Sequence, residues 1–212
     1  MILRASTIPK RPPNSCDSPR MPPGRLVAFT DGVVAILITV LVLELRPPGG
    51  DHFGDLLHEK GKLLAYVLSF VFVAIYWVNH HHLFQVVHRI DGKVLWANIL
   101  LLFCLSLTPV ATAWLGDSGV KAGPAAAYAL VLLACAVAYT LLTLALLALH
   151  ESESQLATAL GDDRKGRASL AAYVIAFGLA FVWPWVSIAM FVAVAIVWFV
   201  PDRRVTRTFD DA

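Results

Sequence analysis

The sequence predicts an all-α integral membrane protein with six transmembrane helices, on three observations. Of its 212 residues, 58% are hydrophobic and only 15% charged, and the mean hydropathy is +0.69, outside the usual range of a soluble domain. The apolar residues gather into runs that, at about 1.5 Å per residue, reach across a hydrocarbon layer about 30 Å thick. The basic residues between those runs alternate in density, as loops on the two sides of a bilayer do.

The chain opens on a tail, residues 1–24, holding six of the twelve prolines together with Lys10, Arg11 and Arg20. It lacks the apolar core of a signal peptide. Proline at this density predicts an extended, disordered cytoplasmic segment. Met21 stands just before the first apolar run and is an alternative start.

The first span is predicted over 26–45 and is stopped by Arg46-Pro47-Pro48-Gly49-Gly50, because proline ends a helix and glycine loosens it. The charged loop to Lys62 has the pattern of a short amphipathic turn. A second span over 63–86 carries Tyr76, Trp77, Asn79 and the run His80-His81-His82. The third, 94–115, includes Asn98, Ser106, Thr108 and Pro109. The fourth, 125–149, has no charged residue. Residues 168–200 would make one helix about 50 Å long, too long for a single crossing. Trp183-Pro184-Trp185 interrupts them; proline disfavours helix at the residue before it, and tryptophan prefers the membrane interface. Two short spans, 168–182 and 185–200, joined by a tight turn are therefore expected, with one kinked helix as the competing reading. Residues 201–212 form a second cytoplasmic tail. With six spans, 13 of the 17 lysines and arginines fall on the side of the termini; with five, only 10 do. The positive-inside tendency selects six spans, with both termini cytoplasmic, in a cell membrane.

The first span carries the functional signal. On a helix advancing about 100° per residue, Ile36, Val40 and Leu43 fall within roughly 60° of one another, flanked by Gly32 and Thr39. Asp31 lies about 140° from Ile36. A stripe of this kind lines a pore or meets lipid and neighbouring helices; periodicity leaves both open. Asp31 is costly in a membrane and needs donors. Trp77, Asn79, the three histidines, Asn98 and Arg25 are the candidates.

Other chemistry is sparse. Cys16, Cys104 and Cys135 form no CxxC pair and suggest neither a disulfide framework nor a zinc site. Consecutive histidines on a helix diverge by about 100° and cannot share one metal. His150-Glu151-Ser152-Glu153 reads as a solvated helix end. No phosphate-binding loop or nucleophile–base pair is present, so no enzyme activity is expected, and no TVGYG-type carbonyl filter occurs.

Arg25-x-x-x-Phe29-Thr30-Asp31, continued by Gly32-Val33-Val34-Ala35-Ile36 and Leu41-Val42-Leu43-Glu44-Leu45, resembles the opening helix of the lysosomal-type potassium channel family, the transmembrane protein 175 family. Thr30 stands where the family's motif has serine. The resemblance extends to WVNHHHLF in the second span and to Asn98 and Leu107-x-Pro109 in the third. It implies a bacterial single-repeat member: a modestly potassium-selective cation channel, assembled as a homotetramer in the inner membrane. The first helix of each subunit lines the pore, and a hydrophobic constriction replaces a carbonyl filter. Ile36 is then the main constriction, with Val40 and Leu43 further out and Thr39 offering a hydroxyl. Arg25, Phe29, Thr30, Asp31, Trp77, His81 and Asn98 form a polar network within the subunit. The expected partners are potassium ions, the lipid bilayer and further copies of the chain; no cofactor and no nucleic acid is expected. The alternatives are a homo-oligomeric secondary transporter, a proton-permeable leak channel and a non-conducting scaffold.

Overall fold

The computed structural model describes residues 22–150 and 164–199. Both expected tails lie outside these residues apart from Pro22 to Gly24, and so does most of the charged stretch after His150.

Helix α1 spans Gly24–Leu43. It starts and stops two residues before the predicted limits. Pro23 caps its start and accepts from Val27 N at 3.0 Å. At the other end, Pro47 pushes the chain before it out of helical geometry. The expected amphipathic turn is the short helix α2, Phe53–His58, opened by a hydrogen bond from His52 N to Asp55 Oδ2 at 3.1 Å. A Cβ on Gly50 would meet the Asp55 carboxylate and turn it out of this cap. Helix α3, Lys60–Gln85, is the second long apolar helix.

The third expected span divides. Helix α4 covers Gly92–Ser106, capped by Asp91, whose Oδ1 accepts from Val94 N at 2.9 Å. Helix α5 covers Thr108–Ser118. Pro109 has no N–H to offer the carbonyl four residues back, and its ring crowds that carbonyl. Leu107 keeps right-handed helical angles at the junction, so Gly92–Ser118 continues as one apolar path. Gly119 turns the chain into the next helix at φ +70°, a conformation that favours glycine. Helix α6, Ala122–Leu149, is the longest of the described helices at 28 residues.

Helix α7, Arg164–Ala180, and helix α8, Pro184–Phe199, resolve the last apolar stretch. They lie antiparallel. Ser187 Oγ donates to the Ala176 carbonyl at 2.9 Å, Tyr173 meets Phe191 across the pair, and Trp198 Nε1 donates to Ser169 Oγ at 2.9 Å. A single kinked helix would hold these pairs far apart, so the two-helix reading is the correct one. Pro184 occupies the first helical turn, where a missing N–H costs nothing.

Helix α6 sits centrally, against α4, α5, α7 and α8. One core cluster, built on Leu101, Cys104, Cys135, Leu142 and Leu146, joins α6 to α4 and the ends of α1 and α3. A second, built on Phe72, Tyr128, Leu132, Tyr173 and Phe191, joins α6 to α3, α7 and α8. Among the described residues, four helical stretches are long and apolar enough to cross a membrane. Trp114, Trp183 and Trp185 are exposed near one end of the bundle and Trp96 near the other, the placement tryptophan takes at the two interfaces of a bilayer.

Candidate functional site

Helix α1 has one side in the protein and one side out. Leu26, Thr30, Val34, Leu37 and Leu41 are buried, at spacings of four, four, three and four, the period of a helix face. They meet α3, α4 and α5. The opposite side carries Gly32, Ile36, Thr39 and Leu43, with Ile36 62% and Leu43 77% exposed. Val40 sits on the edge, half-buried. A Cβ on Gly32 would meet nothing within 4 Å. The stripe read from periodicity is thus a face that the subunit itself leaves uncovered. Thr39 Oγ1 donates to the Ile36 carbonyl at 2.7 Å. Its proton is committed to the backbone, and its lone pairs remain free to accept.

Two contacts tie the N-terminal half of α1 to its neighbours. Trp77 Nε1 on α3 donates to Asp31 Oδ1 at 2.9 Å. On the buried side, Asn98 Nδ2 on α4 donates to Thr30 Oγ1 at 2.9 Å. The Asn98 carbonyl oxygen meets His80 Nε2 at 3.0 Å. Since that oxygen can only accept, His80 carries its proton on Nε2. Thr30, His80 and Asn98 are all at most 2% exposed, so each bond is made away from competing solvent. The ring of His80 stacks on Phe84 with centroids 4.4 Å apart.

Three residues expected in this network stand elsewhere. His81 does not reach Asn98. It is exposed, stacks on Trp77 and bonds Gln85 at 3.0 Å. The buried face of α3 runs through Ala65, Ser69, Phe72, Val73, His80 and Leu83; His80 falls on that face, and His81 is turned about 100° away. Arg25 is exposed with no ion pair among the described residues, because six residues put it about 120° around the helix from Asp31. Phe29 is exposed as well. Thr30, Asp31, Trp77 and Asn98 are brought together, in two linked pairs.

Sequence reasoning missed one buried polar cluster. Ser69 Oγ lies 2.6 Å from Thr112 Oγ1 and 2.8 Å from Tyr128 OH, which binds α3, α5 and α6 to one another. The available signal was a serine in the middle of an uninterrupted apolar run. The consecutive histidines do not converge: His80 is buried, and His81 and His82 are exposed. Asp51, His52 and Asp55 place potential ligand atoms within 4.8 Å of one another. They are at the surface, and Asp55 is engaged in capping α2.

The family model for the endosomal/lysosomal potassium channel TMEM175 matches residues 25–109, the stretch holding α1, its exposed face and its anchors. The chain is 41% identical over 191 residues to a potassium channel of Chryseobacterium sp. strain P1-3. That alignment covers 90% of this chain and 100% of the relative. The chain belongs to the TMEM175 family. Its fold is also that of a solved TMEM175 homologue from Chamaesiphon minutus, a lysosomal potassium-selective channel homologue, with a TM-score of 0.70 and 32% identity. The match covers 84% of this chain and 96% of that one. An endosomal/lysosomal proton channel TMEM175 of Danio rerio is 27% identical over 90 residues, 40% of this chain and 17% of that protein. As a TMEM175-family member the chain is a membrane protein of a cation-channel family.

Proposed function

We propose that four copies of the chain form a potassium-selective channel, with α1 of each copy facing a common axis. The observation that carries this reading is the uncovered face of α1, with Ile36 and Leu43 each more than half exposed, on a helix whose other side is firmly seated. A single helix cannot enclose a pore, and about four such faces are needed to surround one. The antiparallel pair α7 and α8, added to the four longer apolar stretches, supports six spans, with both termini on the more basic, cytoplasmic side.

In such an assembly Ile36 and Leu43 form apolar rings that an ion passes only after shedding part of its water. Potassium holds its hydration shell less tightly than sodium and crosses more readily. The bare lone pairs of Thr39 oxygen face the gap between those rings and replace part of the lost hydration. Val40, smaller and half turned away, constricts less. Selectivity of this origin is modest, and an apolar constriction opens and closes by wetting and drying. The relatives from Chryseobacterium, Streptomyces collinus and Chamaesiphon minutus, each covered over more than half of its length, are all named potassium channels, which supports the choice of ion.

The test is reconstitution in planar bilayers with the potassium-to-sodium permeability ratio read from reversal potentials. Ile36→Asn hydrates the narrowest ring, and the ratio is expected to fall towards one. A ratio unchanged in conducting Ile36→Asn channels removes the pore assignment. Flux that needs a proton gradient would instead identify a transporter.

A further inference from the structure

We infer that Glu44, one residue beyond the exposed face of α1, is a cation-concentrating charge at the outer mouth of the pathway. The inference rests on the pore reading above and extends it to a residue off the stripe. Glu44 is the C-cap of α1, directly after Leu43. The carbonyl end of a helix already carries about half a negative charge, so a carboxylate there lowers helix stability. No ion pair engages it among the described residues. Lys62 lines the same crevice between α1, α3 and α5 as Glu44, but its ammonium is held by Glu59 at 2.9 Å and Asp117 at 3.2 Å. Arg46, two residues on, is exposed and forms no ion pair among the described residues. Glu44 itself is exposed and unpaired among them. An unpaired acid at the wrong end of a helix is what an electrostatic role outside the subunit requires.

On the helix Glu44 lies about 100° from Leu43, beside the axis of the stripe rather than on it. It therefore does not ligate the passing ion. It acts through the field that four copies set up at the rim, drawing cations to the entrance as charged clefts do. Such an effect is large when the Debye length is long and vanishes when it is short.

Single-channel recording of Glu44→Gln in symmetric potassium solutions tests this. At about 10 mM salt, where screening reaches about 30 Å, inward current is expected to fall about two-fold, and at about 1 M, where it reaches about 3 Å, the difference disappears. The potassium-to-sodium ratio stays at the wild-type value, and Glu44→Asp, which keeps the charge, retains the inward current. Outward current in the same patches shows that the variant is assembled. An inward current insensitive to Glu44→Gln at low salt overturns the inference, as does a loss that persists at 1 M or one confined to outward current. The pore reading fails separately, through an unchanged permeability ratio in Ile36→Asn.

Discussion

Asn98, on α4, links α1 to α3, because it satisfies Thr30 on one side and His80 on the other. Replacing it strands two polar groups in a buried site. A buried group left unpaired costs about 1–3 kcal/mol. Asn98→Ala is therefore expected to lower the thermal unfolding temperature in detergent clearly more than His81→Ala, whose partners Gln85 and Trp77 are at the surface. Equal effects of the two would mean that the buried chain contributes no more than the exposed one. Asp31 has a different profile. Its bond to Trp77 spans α1 and α3 while one carboxylate oxygen stays open. Asp31→Ala is expected to reduce the yield of assembled channel on size exclusion and to leave the permeability ratio of the surviving channels intact. A selective loss of ion discrimination with normal assembly would place Asp31 on the ion path.

Helices α3 and α5 approach each other closely at Gly116. Gly116 sits where an added Cβ would be 3.0 Å from the Lys62 Cα and 3.2 Å from its Cγ. One of these atoms belongs to backbone and has little room to yield. The Lys62 clamp to Glu59 and Asp117 closes over the same contact. Gly116→Val forces the two helices apart, at an expected cost of about 1–3 kcal/mol, read as a lower melting temperature. Gly24→Val, at a position with nothing within 4 Å, is the matched control and should melt close to the parent. The break at Leu107 belongs to this scale too. Hydropathy runs smoothly through Gly92–Ser118, and only the missing N–H of Pro109 divides it.

At the level of the whole molecule, the uncovered face of α1 and the apolar belt around the bundle have different needs. The belt is satisfied by lipid. In the proposed assembly, the face carrying Thr39 and Gly32 beside Ile36 and Leu43 is covered by an axis shared with other copies of the chain. Native mass spectrometry in mild detergent is expected to give a mass four times the 23.1 kDa of one chain. A monomer under conditions that preserve conduction would contradict a pore built from one helix per subunit.

The residues alone determined that this chain lives in a membrane, where its long apolar helices begin and end to within a few positions, and which stretch carries the family's motif. Each of these depends on neighbours in sequence: hydropathy summed along a run decides insertion, and prolines and glycines punctuate it. They also determined the stripe of Ile36, Val40 and Leu43, since helical periodicity is local. The tertiary structure decided what periodicity leaves open. It showed that the stripe is the uncovered side of α1, that His80 rather than His81 meets Asn98, that Arg25 and Phe29 face outward, and that residues 164–199 fold back as a pair. The physical reason is rotation: every helix has an apolar face towards something, and its turn about its own axis is set by side chains tens of residues away. Thr30 and Asn98, 68 positions apart and 2.9 Å from each other, are bonded only because α1 and α4 pack with those faces together.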